Sequence, residues 1–315
     1  MENRERGEVE NRAPVKPEKK VTSPVYLKKI LHERGLRPRR AQGQHFLVDD
    51  NIQAEILRAA SLDDSDYILD IGAGPGALSL DMAEIAAGVI AIEQDVGLAD
   101  LLRDQAVRRG LERLQVVTGD VRRLDLHEIA REHWGGAFLG SSATPSIKVV
   151  ANLPYYLTTP LLFQLLQSSL PLKTLVIMVQ MEAARRIIAG PGGKDYGLLT
   201  ILCKYYTAPR LLFKVPPKVF YPPPAVDSAV VQLDILPLPA ACVTNEDIFW
   251  RLVKAAFQKR RKTLLNALEG VGNLGKDAWS ALLQKAEIIP LRRGETLSLD
   301  EFARLANDYY THSDK

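Results

Sequence analysis

The sequence predicts an α/β protein: a mostly parallel, Rossmann-like sheet with an antiparallel edge strand, followed by a smaller all-helical C-terminal domain. Three observations carry this reading. Short apolar runs at 67–71, 89–92, 114–118, 147–151 and 174–180 alternate with segments of helical period, as parallel strands covered on both faces do. The first run ends in Gly72-Ala73-Gly74-Pro75-Gly76, a bend where an open α/β sheet presents its ligand crevice. Beyond Leu236-Pro237-Leu238-Pro239 the apolar spacing is helical to the end.

Residues 1 to about 24 are charged, contain proline and hold almost no large apolar side chain, so a disordered tail of mixed charge is expected there. A short basic helix is expected at 26–34, stopping near Gly35 and Pro38. A helix at 51–60 leads into the strand 67–71 and its glycine bend. A helix at 77–87 precedes the strand 89–92, which Glu93 closes. A helix at 98–110 precedes the strand 114–118, which runs into Gly119-Asp120. Residues 131–146 carry Trp134-Gly135-Gly136 and Gly140-Ser141-Ser142 and read as a loop insertion. The strand 147–151 ends at Asn152, and 174–180 is the fifth strand. Segments 205–215 and 225–233 read as β-rich; they flank Pro216-Pro217 and Tyr221-Pro222-Pro223-Pro224, a prolyl loop that suits an antiparallel edge. Helices follow at 246–257, 261–268, 277–286 and 299–309. Ser298 and Glu301 make a capping box for the last. The expected domains are 25–237 and 238–315, without internal repeats.

A chain of 315 residues accommodates one large and one small core. With 46% hydrophobic and 25% charged residues the composition is that of a soluble globular protein, and its longest apolar runs are too short for a bilayer. The N-terminus has no apolar stretch of signal-peptide type. Cys203 and Cys242 have neither zinc nor disulfide-framework spacing, so both are expected to be buried side chains in a reducing cytoplasm, and no metal is expected. Net charge is only +3, but its distribution is uneven. Lys28, Lys29, Arg34, Arg37, Arg39 and Arg40 stand against the single acid Glu33; Lys259, Arg260, Arg261 and Lys262 form a second cluster. Such patches attract a phosphate backbone, although either cluster taken alone is more often a solvated face than a nucleic-acid site.

Four strand ends carry the candidate chemistry. The bend reads G-x-G-x-G, not the dinucleotide spacing G-x-G-x-x-G, which disfavours a nicotinamide cofactor and suits a nucleoside-methionine. Gly72 and Gly74 would let backbone approach the ligand. Glu93 ends the next strand, where an acid can accept both ribose hydroxyls of a nucleoside. Asp120, after Gly119, could accept from an adenine amine, though alone it would be ordinary turn chemistry. Asn152-Leu153-Pro154-Tyr155 is the most specific motif. The N6 lone pair of adenine is delocalised into the ring, so the amine is a poor nucleophile. Two acceptors aimed at its protons would position it and favour a more tetrahedral nitrogen. The Asn152 side-chain oxygen and the Leu153 carbonyl can be those acceptors, with Pro154 fixing the chain and Tyr155 stacking an extruded base.

With these motifs the chain resembles the ribosomal RNA adenine N6-dimethyltransferases, in particular the family acting on small-subunit (16S) rRNA. The resemblance covers about 36–268. Gln44-His45-Phe46-Leu47 is similar to the family's Gln-Asn-Phe-Leu segment; residues 179–186 resemble its helix after the fifth strand. Residues 220–230, from Phe220 through Tyr221-Pro222-Pro223-Pro224, resemble its late loop and strand; 257–264 resemble the basic start of its C-terminal region. His45 departs from the family's Asn: a backbone contact would survive the change, a side-chain amide contact would not.

The resemblance implies a class I methyltransferase sheet. It implies S-adenosyl-L-methionine as cofactor, held by His45, Leu47, Gly72, Gly74, Glu93, Asp120 and Asn152. It implies Phe220 as a second aromatic wall opposite Tyr155. Lys259, Arg260, Arg261 and Lys262 would then contact RNA. The substrate would be two adjacent adenosines in the 3′-terminal hairpin of small-subunit rRNA, presented by the immature small ribosomal subunit. No membrane partner is expected, and the chain is expected to act as a monomer. The alternatives are a large-subunit rRNA adenine methyltransferase, a DNA adenine methyltransferase, and a non-catalytic nucleic-acid-binding assembly factor on the same fold.

Overall fold

The computed structural model describes residues 20–39, 43–140 and 146–313. In chain order the elements are α1 (Pro24–Glu33), β1 (Phe46–Leu47), α2 (Asp50–Ala60), β2 (Tyr67–Ile71), α3 (Ser79–Ile85), β3 (Gly88–Glu93), α4 (Val96–Arg109), β4 (Leu114–Thr118), α5 (Leu126–Gly140), β5 (Ile147–Asn152), α6 (Thr158–Leu166) and β6 (Leu172–Gln180). They continue with α7 (Met181–Ile188), α8 (Leu198–Tyr206), β7 (Thr207–Val215), β8 (Phe220–Tyr221), β9 (Ser228–Ile235), α9 (Glu246–Gln258), α10 (Leu264–Leu268), α11 (Lys276–Lys285) and α12 (Leu299–Ser313).

Seven strands form one sheet in the order β4-β3-β2-β5-β6-β9-β7. The first five run parallel; β9 lies antiparallel between β6 and β7. The strand of this sheet that runs against the rest, β9, is therefore one position in from the edge, and β7 outermost runs with the parallel set. β1 and β8 pair separately, Phe46 opposite Tyr221 and Leu47 opposite Phe220.

Side chains alternate across the strands and so feed two apolar layers. Ile68, Val89, Val150 and Val176 face a layer with α1 to α4; Leu69, Ile90, Val149 and Leu175 face the other. That second layer runs without a break into the C-terminal helices: Tyr205 stacks on Phe249 at 4.9 Å between ring centroids, and its hydroxyl donates to Glu246 at 3.0 Å. The expected boundary near 238 thus separates chain segments that share one apolar cluster. At the N-terminal ends of the strands, Lys148 is buried and donates to Asp66 and to the Ser61 carbonyl, both at 2.7 Å. This pair fixes the end of the sheet opposite the ligand crevice.

Four expectations are corrected. The segment read as a loop insertion at 131–146 is helical to 140: α5 continues through it, with a break at Gly135, because Trp134 is buried against Tyr67 at 5.0 Å between ring centroids. Residues 141–145 lie outside the described residues. Residues 205–206 end α8 and do not belong to a strand, and the chain before Ser228 is loop. Cys203 is buried as expected, but Cys242 is exposed in the linker ahead of α9. Val21 and Thr22, assigned to the tail, are buried, and Ser23 caps α1; residues 1–19 of the expected tail, and Arg40, lie outside the described residues. The capping box at Ser298 and Glu301 is present, with bonds of 2.7 and 3.2 Å.

Candidate active site

Parallel strands deliver their C-terminal ends to one edge of the sheet, and the loops after β2, β3, β4 and β5 meet there. The cavity between them is lined by residues from all four loops and by the segment Gly43 to Leu47. His45, Leu47, Gly72, Gly74, Glu93, Asn152, Leu153, Pro154 and Tyr155, all expected from the sequence, line it together.

Two of the motifs touch directly. Gly72 has φ +77°, and a Cβ there would stand 2.8 Å from Pro154 Cδ. A side chain at 72 would therefore push the Asn-Leu-Pro-Tyr turn off the glycine bend. Gly72 also donates to the Ile92 carbonyl at 2.8 Å, tying the bend to β3.

Glu93 is buried, and its carboxylate accepts from the Gly74 and Asp95 backbone N–H groups, each at 2.8 Å. Burial raises its pKa; the two N–H donors oppose that shift, and the nearby Asp95 charge adds to it. Asp70, also lining the cavity and buried, is bonded to Ser79. Burial pushes its carboxyl up to about 7, against the Ser79 hydrogen bond and with the help of Glu93.

The Asn152 amide is oriented by the segment across the cleft: Nδ2 donates to the His45 carbonyl at 3.0 Å. Leu153 donates its N–H to Met178 O at 3.1 Å, which holds the turn against β6. The Tyr155 hydroxyl shares a 2.8 Å hydrogen bond with Ser228, and its ring stacks on His45 at 5.7 Å between centroids. His45 Nδ1 lies 2.7 Å from the Pro222 carbonyl; a carbonyl only accepts, so Nδ1 carries the proton.

Two expected residues are placed otherwise. Phe220 pairs with Leu47 through the backbone, and the residue is buried, 3% exposed, in the apolar layer. It is not among the residues that line the cavity, and the ring stacked on Tyr155 is that of His45. Asp120 does not line the cavity. Its carboxylate is taken by Arg122, at 2.9 Å from Nε and 2.6 Å from the terminal nitrogen, and Arg122 holds it below the usual carboxylate range. Gly119 beside it does line the cavity.

Other lining residues were not singled out from the sequence. Gln94 and Tyr156 are joined by a 3.4 Å hydrogen bond at the cavity wall, and Arg122 lies 5.8 Å from the centre of the Tyr156 ring. Their adjacency to Glu93 and Tyr155 was the only available signal. The basic cluster follows α9 and is exposed throughout. Arg260 is held by Glu295 at 2.8 Å and by the Lys194 carbonyl, whereas Lys259, Arg261 and Lys262 form no ion pair among the described residues.

The residues fit a nucleoside-methionine ligand. Gly74 lets the bend close against the segment that carries His45 and Leu47, since a Cβ there would press on the Phe46 ring at 3.2 Å. Glu93 offers acceptor oxygens at the end of β3, where hydroxyls of a ribose would lie.

Comparison with known proteins agrees with this geometry. The family model for ribosomal RNA adenine dimethylases matches residues 35–306. The chain belongs to the ribosomal RNA adenine dimethylase family. As a member it is a ribosomal RNA methyltransferase that depends on S-adenosylmethionine. It is 46% identical over 290 residues to the ribosomal RNA small subunit methyltransferase A of Pelotomaculum thermopropionicum, covering 92% of this chain and 97% of that one. With the protein of the same name from Moorella thermoacetica it shares 44% identity over 286 residues, 91% and 97% of the two chains. Among solved structures this dimethylase superposes on a dimethyladenosine transferase from Plasmodium falciparum with a TM-score of 0.68. The identity is 24%, covering 85% of this chain and 98% of the other, a likeness of fold.

Proposed function

We propose that this enzyme transfers methyl groups from S-adenosyl-L-methionine to N6 of two adjacent adenosines in the 3′-terminal hairpin of small-subunit (16S) rRNA, forming N6,N6-dimethyladenosine during ribosome biogenesis. The observation that carries the reaction is the orientation of Asn152. Its donor end is engaged by the His45 carbonyl, so its oxygen is the end left for a substrate amine. The small-subunit reading is supported by the names of the relatives above 40% identity.

Bound against the glycine bend, S-adenosylmethionine would supply an electrophilic methyl group. Glu93 would accept from the ribose hydroxyls, and Gly72, Gly74, Leu47 and the His45 backbone would enclose the ligand. Asp120 would have to exchange Arg122 for the ligand's adenine amine. Asn152 Oδ1 and the Leu153 carbonyl would accept the two N6 protons of the target, holding the nitrogen in line and favouring its lone pair over ring conjugation. Tyr155 would stack the extruded base. No strong base is needed, because the amine becomes acidic as it attacks and its proton passes to water. The His45 ring does not serve as base through Nδ1, which already carries a proton bound to Pro222 O.

Lys259, Arg261 and Lys262 would contact phosphates of the immature small subunit, with Arg260 bracing the turn that carries them. Among the described residues no helix is long and apolar enough to cross a membrane, and the proposed work lies in the cytoplasm, where subunits assemble. Mass spectrometry of rRNA from cells with and without the protein tests this function. Two adjacent dimethyladenosines near the small-subunit 3′ end should depend on it; their persistence in its absence refutes the proposal.

A further inference from the structure

A groove beside α1 takes no part in the site described above. Lys28, Lys29, His32, Leu36, Arg37 and Tyr221 line it. Several neighbouring cations are already engaged: Lys29 with Glu33 at 3.6 Å, Arg34 with Asp104, and Arg39 with Asp95 at 3.3 Å. Lys28 and Arg37 are exposed and form no ion pair among the described residues. The backbone that carries Lys28 is fixed, since α1 is anchored by buried Leu27, Ile30 and Leu31; Arg37 lies in the loop that follows α1. Lys28 Nζ lies 4.9 Å from the centre of the half-buried Tyr221 ring.

The groove is linked to the base pocket by contacts through the β1–β8 pair. Tyr221 pairs with Phe46, the neighbour of His45, and the next residue, Pro222, accepts from the His45 ring, which stacks on Tyr155. The Tyr155 and His45 rings are thus joined to Tyr221 and Lys28 through the backbone of the Tyr221-Pro222 segment.

We infer that this groove binds the single-stranded RNA flanking the target adenosine, with Lys28 and Arg37 on its phosphates and Tyr221 under one base. The inference rests on the RNA-methylating function proposed above. Extruding a base into the pocket unstacks its neighbours, and rings interleaved with cations are what an unstacked strand takes. A solvated basic helix would need no ring beside its cations and no connection to the pocket. Lys28, on a flexible stem, can turn from the ring to a phosphate and open that face to a base.

Filter binding of an RNA containing the small-subunit 3′-terminal hairpin and its single-stranded flanks tests this, with salt as the variable. Lys28→Ala combined with Arg37→Ala should flatten the log–log salt dependence by about 1.4, or 0.7 for each single-strand phosphate contact. Tyr221→Ala should weaken binding roughly tenfold. S-adenosylhomocysteine affinity, read by calorimetry, should be unchanged in the double variant and shows that it is folded. Equal slopes in the parent and the double variant overturn the assignment of this groove, as does an equal loss on a blunt duplex without flanks. A parent protein that binds no such RNA overturns the underlying function instead.

Discussion

The side-chain amide of Asn152 donates to the main-chain carbonyl of His45 at 3.0 Å, across the cleft between β5 and the strand β1. That bond fixes which end of the amide remains free. Asn152→Ala removes the free acceptor, and the methylation rate is expected to fall by roughly 10²–10³-fold, as when one preorganised polar group is lost from a reacting centre. Affinity for S-adenosylhomocysteine should fall much less. Single-turnover kinetics alongside calorimetry separates the two, and near-normal turnover would refute the role.

His45 holds Asn152 through its backbone, which any residue supplies. His45→Asn is therefore expected to keep cofactor affinity and rate close to those of the parent. A collapse of the rate at saturating cofactor would instead assign chemistry to the imidazole ring.

Asp70 gives the fold a pH dependence. Its folded pKa is about 7, above the unfolded carboxyl value of about 3.9. Between those values the folded protein keeps a proton that the unfolded chain has lost, so this group makes stability decline as pH rises through the window and level off above it. Asp70→Asn cannot titrate. Urea unfolding of the cofactor-free parent and variant between about pH 5 and pH 8 should show the parent losing stability relative to the variant as pH rises. A difference that is flat or of opposite sign would show that Asp70 ionises normally.

The basic turn after α9 contains cations with different duties. Arg260 is engaged by Glu295, so replacing it would disturb the turn as well as any RNA contact. Arg261→Ala with Lys262→Ala is the cleaner variant. It should weaken binding to the small ribosomal particle and flatten the salt dependence by up to about 1.8 on a double-stranded region, leaving cofactor affinity intact. Unchanged affinity and slope would make this turn a solvated surface.

Much of this architecture was legible because parallel strands buried on both faces are apolar throughout and end in punctuating residues. The bounds of β2 and β4 match the expected runs, and Gly72, Glu93 and Asn152 are brought together because each ends a neighbouring strand. What the sequence hid depends on tertiary partners. Trp134 lies among glycines and reads as loop, but it is buried against Tyr67 and Gly88, and α5 continues past it. Phe220 was expected as a second aromatic wall opposite Tyr155, but it pairs with Leu47 and is buried in the apolar layer. Asp120 sits at the expected strand end, yet Arg122, two residues on, takes up its carboxylate. That Asn152 is held by the backbone of a residue 107 positions away has no local signature at all.

The most direct test is methyl transfer in a purified system: immature small ribosomal subunits, S-adenosylmethionine carrying a labelled methyl group, and either the parent enzyme or Asn152→Ala. Mass spectrometry of the digested rRNA should find label in two adjacent N6,N6-dimethyladenosines near the 3′ end with the parent and almost none with the variant. Label at another base, label only in large-subunit rRNA, or equal yields from the two proteins would contradict the assignment of Asn152 as the acceptor that directs adenine N6 methylation.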